Sequence, residues 1–195
     1  MAGASDANTV TKIQHVDGGD SLVVKSGGII NVEAGGKLEI GGTDVAANVK
    51  ALANDAARYV AGGSTKTLTA ANNKQTVKLD TLTGSAVVLP AATGSGFKVK
   101  FLVTVLATSN NHVVSAAGTD VMIGAISGAR VDSTNALLAF AAQATSNTIT
   151  LNKTTTGSVT LGEYIEVEDV AAGVWATSGF LTATGAAFAT PYSHV

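Results

Sequence analysis

Short segments in which apolar and polar residues alternate, each closed by turn-forming residues, make up most of this chain and restrict it to β structure. At residues 98–101, the two lysines fall on one face of a strand while Val99 and Phe101 fall on the other. Candidate strands occupy residues 67–69, 75–79, 86–89, 98–105, 112–115, 137–141, 148–151, 163–167 and 174–177. Many short strands separated by regular turn signals predict a C-terminal antiparallel β-sandwich or barrel, jelly-roll or tulip-like, over residues 64–195.

Glycine pairs punctuate residues 21–42, which divide into SLVVKSGG, IINVEAGG and KLEIGG. Very short strands at a fixed interval predict a small β-meander or a short β-solenoid, and an ordinary pair of hairpins is the alternative. Because three short repeats bury little surface by themselves, contact with neighbouring chains would stabilise them. Residues 1–20 are small and polar, and we interpret them either as a disordered terminus or as an arm that becomes ordered on a partner.

One segment, residues 43–61, has the pattern of a helix. Thr43 or Asp44 can cap its start, and Gly62-Gly63 can end it. Its apolar positions, spaced by 4, 3, 4 and 3 residues, are Val45, Val49, Leu52, Ala56 and Tyr59. This heptad-like spacing predicts an oligomerisation helix over 43–63, and a single helix lying on a sheet is the alternative.

The composition excludes several classes of function. Lysine and arginine number 12 against 14 acidic residues, so the chain lacks the cationic surface expected of a nucleic-acid-binding protein. Charged residues are only 13% and aromatic residues 5% of the chain, so its apolar content is mostly alanine and valine. We expect no membrane span, because no run of about 18 apolar residues occurs. The absence of cysteine excludes disulfides and thiolate metal sites.

No catalytic, cofactor or metal site is predicted from the remaining residues. The histidines at positions 15, 112 and 194 are scattered along the chain, and the Gly94-Ser95-Gly96 loop precedes a strand rather than the helix that a phosphate cradle needs. The acidic run from Glu163 to Asp169 could offer oxygen ligands to calcium, but a solvated strand face is the favoured interpretation. Trp175 lies in an apolar strand, which favours a place in the core over a ligand platform.

Two segments carry a resemblance to a known class of protein. The stretch 84–101 combines Val-Leu-Pro, then Gly-Ser-Gly, then an alternating strand, within the longer segment 67–124. Residues 162–185, GEYIEVEDVAAGVWATSGFLTATG, add a strand, a turn and a tryptophan-bearing strand. Together these segments resemble the β domains of tailed-phage head decoration (cement) and head-fibre proteins. The resemblance covers about two-thirds of the chain, and its motifs are structural, so it implies no catalytic residues.

The resemblance implies a homotrimer on the outer surface of an icosahedral head, made in the cytoplasm of the host bacterium. Its partners would be the major capsid protein and itself, with no nucleic acid, no membrane and no cofactor, and it would clamp neighbouring capsid subunits. We expect residues 1–42 to face the capsid, the helix over 43–63 to join three chains, and residues 64–195 to form an outward domain. The residues expected to contact the capsid are Val10, Ile13, His15 and Val16.

Other classes of function remain as alternatives. A phage fibre or receptor-binding module would expose aromatic side chains to glycans. A bacterial adhesin would need a secretion signal, which the given sequence does not show. A β-sandwich enzyme such as a polysaccharide lyase would need a cleft with a base or paired carboxylates, for which no spacing is evident.

Overall fold

A computed structural model describes residues 58–132, 137–184 and 188–195 of the chain, together with residues 13–15, 22–24, 26–27, 29, 39–40 and 43–44. The chain divides into two compact units, Met1–Asn54 and Asp55–Val195. The larger unit contains two extensive sheets, and among the described residues the only helix is a single 3-10 turn at Ala70–Asn72. The expectation of a mainly β chain is therefore confirmed.

The N-terminal unit contains two small antiparallel strand pairs. Strand β1 (Ile13–His15) pairs with β2 (Leu22–Val24), and β3 (Glu39–Ile40) pairs with β4 (Thr43–Asp44). Strands β2 and β3 lie in the glycine-punctuated segments, where short strands are expected. Strand β1 lies in the segment interpreted either as a disordered terminus or as an arm that becomes ordered on a partner. At residues 13–15 the first alternative is wrong, because the backbone pairs with β2.

The predicted helix over 43–61 is wrong at both of its ends. Thr43 and Asp44 form β4, which pairs with β3 across a two-residue connection, the spacing of a tight hairpin. Tyr59 begins strand β5 (Tyr59–Ala61), which pairs with a neighbouring strand of the larger unit. At residues 59–61, pairing with a strand from later in the chain takes the place of the last predicted helical turn. Residues 45–57 lie outside the described residues.

Eleven further strands complete the larger unit. They are β6 (Thr65–Thr67), β7 (Thr76–Leu79), β8 (Ala86–Val88), β9 (Lys98–Val103), β10 (His112–Ser115), β11 (Val121–Arg130), β12 (Leu137–Ala141), β13 (Thr148–Leu151), β14 (Tyr164–Ala171), β15 (Val174–Ala183) and β16 (Tyr192–Ser193). One sheet has five strands in the order β16-β13-β10-β8-β6. The other has seven strands in the order β12-β11-β15-β14-β9-β7-β5.

Both sheets are mixed, so the prediction of a purely antiparallel domain is wrong. From β5 to β10 the chain alternates between the two sheets, so β5, β7 and β9 stack in parallel in one sheet and β6, β8 and β10 stack in parallel in the other. Strand β11 is also parallel to β15. This winding arises because each turn carries the chain across to the opposite sheet instead of back beside the strand it has just left.

The inward residues of both sheets form one buried cluster, as in a β-sandwich. Val87 and Ile149 come from the five-stranded sheet, and Phe101 and Trp175 come from the seven-stranded sheet. The Trp175 ring packs edge-on against Phe97, with the ring centroids 5.8 Å apart. The prediction that Trp175 belongs to the core is therefore confirmed.

Most candidate strands lie close to observed ones, and β10, β12 and β13 have the predicted bounds. The long strand β11 was not predicted, because Gly124 and Gly128 interrupt its apolar pattern and glycine favours turns. Gly128 is required there, since a Cβ atom at this position would overlap the Phe188 ring and lie 2.7 Å from the Leu181 carbonyl oxygen.

Candidate interaction surface

The outward face of the seven-stranded sheet divides into two halves of different chemistry. Strand register places outward side chains in rows across the sheet, so that Glu166 lies between Lys100 of β9 and Ser178 of β15. Strands β7, β9 and β14 present charged side chains, and we call their outward surface, together with the neighbouring edge strand β5, the charged half-face. Strands β11, β12 and β15 present small and apolar side chains, and we call this the apolar half-face.

Ion pairs cross the charged half-face between β9 and β14. Lys98 Nζ lies 3.5 Å from Glu168 Oε2, and Lys100 Nζ lies 3.8 Å from Glu166 Oε1. Lys100 Nζ also lies 4.2 Å from the centre of the Tyr164 ring, a cation–π contact. Glu166, Glu168 and Tyr164 therefore share an outward face, as alternation predicts. Such exposed pairs contribute little to the free energy of unfolding, about 0–1 kcal/mol each.

The apolar half-face exposes three large hydrophobic side chains among small ones. Leu137 is 68% exposed, Ile123 is 46% exposed and Phe180 is 36% exposed. The outward positions between them in the strand register are small: Ala125, Ser127, Ala139 and Ser178. No charged residue occurs in segments 121–129, 137–141 and 174–182 of these strands. A contiguous uncharged surface of this kind is typical of a site that contacts another protein surface.

Strand β12 forms an edge of the seven-stranded sheet without the usual protection of edge strands. Within the described part of the chain it pairs only with β11. Its sequence, Leu-Leu-Ala-Phe-Ala, contains no charge and no proline, the features by which native proteins prevent edge strands from pairing with other chains. The free side of β12 therefore offers backbone donors and acceptors next to the apolar half-face.

A buried carboxylate near the end of β14, that of Asp169, holds the Gly94-Ser95-Gly96 loop in place. Asp169 of β14 is 2% exposed and accepts hydrogen bonds from the N–H groups of Thr93, Gly94 and Ser95, the shortest being 2.7 Å from Gly94. The Ser95 hydroxyl donates another at 2.7 Å. The glycine-rich loop is thus an anion-binding arrangement of N–H groups, and the chain's own carboxylate fills it.

The protonation of Asp169 follows from this geometry. Burial by itself raises the pKa of a carboxyl group, but the hydrogen bonds from Thr93, Ser95 and Gly94 stabilise the ionised form more strongly. The pKa of Asp169 is therefore held well below its ordinary value of 3.8. The carboxylate stays charged and anchors the loop instead of acting as an acid or a base near neutral pH.

Glu163 is held in the same way at the start of β14. Its side chain is buried and accepts hydrogen bonds from the N–H groups of Ser158, Val159 and Thr160, each at 2.7 Å. The Thr182 hydroxyl donates a further bond at 2.5 Å. The interpretation of the whole acidic run as a solvated face is therefore wrong for Glu163 and Asp169. Backbone donors from the neighbouring turn 158–160 satisfy Glu163, and donors from the distant loop 93–95 satisfy Asp169.

His112 is a structural histidine of the core. Its Nδ1 accepts a hydrogen bond of 3.0 Å from the Ser85 N–H, so Nε2 carries the proton and donates to the Val105 carbonyl oxygen at 2.9 Å. Burial lowers the pKa of His112 below its ordinary value of 6.5, and this outweighs the opposite effects of the Val105 bond and of the charges on Asp80 and Glu163. Both ring nitrogens are occupied, so neither is available to a ligand.

The structure brings few of the predicted interface residues together. Tyr59 is an outward residue of the edge strand β5 and is 60% exposed, on a strand instead of a helix. Of the expected capsid contacts, Ile13 and His15 lie in β1. The other expected interface residues lie outside the described residues: Val10, Val16, Val45, Val49, Leu52 and Ala56. The apolar half-face was not predicted, although the charge-free segment 121–129 is a sequence signal for it.

The described residues contain no group of three or more histidine or acidic side chains arranged to hold a metal ion. A hollow of about 640 Å³ lies where the loops at 83–84 and 109–111 meet the five-stranded sheet, and its lining is uncharged. In the part of the chain that the structure describes, no helix is long and apolar enough to cross a membrane.

Comparisons with known proteins identify no relative. No family model, no curated protein and no solved structure gives a significant match to the chain.

Proposed function

We propose that this chain is a phage capsid decoration protein that binds the outer surface of an icosahedral head as a homotrimer. Its role is structural, not catalytic: it clamps neighbouring subunits of the major capsid protein. The observation that carries the proposal is the apolar half-face beside the unprotected edge strand β12, because such a surface is suited to permanent contact with other protein. The resemblance of segments 67–124 and 162–185 to head decoration proteins supplies the biological setting.

Self-association is the use we assign to the apolar half-face. The uncharged surfaces of three copies pack around a three-fold axis without charge repulsion, and burying an exposed side chain such as Leu137 stabilises an assembly by about 1.5–3 kcal/mol. Three chains on one capsid site would also bind far more tightly than one, since the second and third contacts form at high effective concentration. This assignment adds a second trimer contact to the predicted helical seam, whose residues Val45, Val49, Leu52 and Ala56 lie outside the described residues.

Binding to isolated heads tests the proposal. The chain should co-sediment with heads of the phage that carries its gene and saturate at a fixed number of copies per head. A variant lacking residues 1–20 should keep its oligomeric mass but remain in the supernatant, because we assign capsid contact to the N-terminal segment. If the full chain remains in the supernatant at about 10 μM, a concentration well above that of a specific complex, the proposal is wrong.

A phage fibre or receptor-binding module is the second candidate, and the exposure of Tyr59 favours it. This aromatic side chain is 60% exposed and lies beside Thr76 on the charged half-face. Exposed aromatic rings beside polar groups are common in glycan sites. Binding to whole host cells that is lost in Tyr59→Ala, with no binding to heads, would favour this candidate over capsid decoration.

A further inference from the structure

A cationic cleft lies on the charged half-face, away from the apolar half-face. The cleft has a volume of about 200 Å³ and is lined by residues of β7, β9 and β14 and by the segments that precede β5 and β7. Four of its lining residues are cationic, namely Arg58, Lys74, Lys98 and Lys100, and one is acidic, Glu166. The cleft therefore concentrates positive charge on a chain whose net charge is −2.

Two of the four cations lack a carboxylate partner within the described residues. Neither Arg58 nor Lys74 lies within 4.0 Å of an acidic side chain there, whereas Lys98 and Lys100 pair with Glu168 and Glu166. The pairs of Lys98 and Lys100 are partly exposed, and breaking such pairs costs little. All four cations are thus available to a bound anion.

The turn that carries Lys74 is held firmly against β9. Lys74 N–H donates to the Lys98 carbonyl oxygen at 2.7 Å, and Lys98 N–H donates to Asn73 Oδ1 at 2.9 Å. Lys74 has a φ of 63°, a left-handed conformation that is unfavourable for a lysine and that asparagine or glycine adopts more easily. Strain of this kind tends to occur where a side chain serves a binding site.

We propose that this cleft binds an oxyanion, namely a carboxylate, sulfate or phosphate group. Arg58 would supply its planar array of N–H donors, and the three lysines would supply charge around the same group. The Thr76 hydroxyl also lines the cleft, and Tyr59 lies beside Thr76, so a sugar that carries an acidic group could place its ring there. The inference depends neither on capsid binding nor on self-association.

Titration of the labelled protein with anions, followed by amide NMR, tests the proposal. The probes are sodium phosphate, sodium sulfate and sodium glucuronate. Sodium chloride keeps the ionic strength constant, and glucose is the uncharged control for glucuronate. At least one oxyanion should shift the amides of residues 74–76 and 98–100 in a saturable way. If only glucuronate shifts these amides, the bound group is the carboxylate of a sugar. If only phosphate and sulfate shift them, the bound group is a free oxyanion. Either result upholds the site.

Two variants distinguish anion binding in the cleft from a general effect of positive charge on the protein. The double variant Arg58→Gln/Lys74→Asn should bind about tenfold more weakly, while Lys66→Gln, which removes a cation from the five-stranded sheet, should bind as the native chain does. Asparagine accepts the left-handed conformation at position 74, so this variant should keep the native amide spectrum. The proposal is overturned if no oxyanion at about 50 mM shifts these amides, or if the double variant binds as well as the native chain.

Discussion

At the scale of single residues, the carboxylates of β14 illustrate what the sequence can and cannot reveal. Alternation along β14 correctly places Glu166 and Glu168 outward, because the side-chain period of a strand is local. The burial of Asp169 could not be predicted in the same way. Its donors lie in the loop 93–95, more than seventy positions earlier in the chain, and only the folded structure brings them together.

Replacing Asp169 by Asn should lower the free energy of unfolding at pH 7 by roughly 2–4 kcal/mol, because an amide cannot accept several charge-assisted hydrogen bonds. Urea denaturation measures this loss. Glu166→Gln is the matched control, since it removes a partly exposed carboxylate of the same strand and should change the free energy of unfolding by less than about 0.5 kcal/mol.

The native chain and the Asp169→Asn variant should also differ in how their free energies of unfolding respond to acid. The pKa of Asp169 is depressed in the folded state, so its contribution is present above its unfolded value near 3.8 and is lost as the pH falls below that value. The gap in the free energy of unfolding between native chain and Asp169→Asn should therefore narrow below about pH 4. A gap that stays constant down to pH 2 would show that Asp169 is not held as an anion.

His112 should make the native chain less stable as the pH falls through the range below about 6.5. Its pKa is lowered in the folded state, so the unfolded chain takes up a proton at a higher pH than the folded chain does, and protonation favours unfolding. In His112→Gln the free energy of unfolding should be lower at pH 7.5 but should change less between pH 7 and 5. If the free energy of unfolding changes equally with pH in the two proteins over that range, His112 does not have a lowered pKa in the folded state.

At the scale of elements, the sequence predicts most strands but not how they associate. Turn residues mark where a strand ends, yet they do not show whether the chain returns to the same sheet or crosses to the other one. That is why the parallel stacks of β5–β7–β9 and β6–β8–β10 were expected to be antiparallel. Apolar spacing alone likewise could not distinguish a helix from strand β5 at residue 59.

Strand β11 should tolerate no side chain at position 128. In Gly128→Ala the added methyl group would overlap the Phe188 ring, and the Leu181 carbonyl oxygen leaves no room for the strand to shift. We expect a loss of about 1–3 kcal/mol in the free energy of unfolding, measured by thermal or urea denaturation. Gly118→Ala is a control for glycine replacement in a turn with open space around it, and its cost should come from backbone conformation alone.

At the scale of the whole molecule, the composition predicts a mainly β, weakly charged protein, but it does not identify the surface that contacts a partner. The apolar half-face is assembled from the consecutive strands β11 and β12 and from β15, which comes from later in the chain. None of these segments is unusual alone, since single exposed apolar residues are common. Their adjacency in the sheet makes the surface, and adjacency is a property of the fold.

The solution mass measured by light scattering tests the central claim most directly. The monomer has a mass of 19.3 kDa, so we predict about 58 kDa for the native chain as a closed trimer. Ala139→Lys places a charge at the centre of β12 and should reduce the mass to 19.3 kDa without loss of β structure, whereas Ala91→Lys, at an exposed loop position, should stay trimeric. A native chain that remains a monomer, or an Ala139→Lys variant that remains a trimer, would contradict self-association through the apolar half-face.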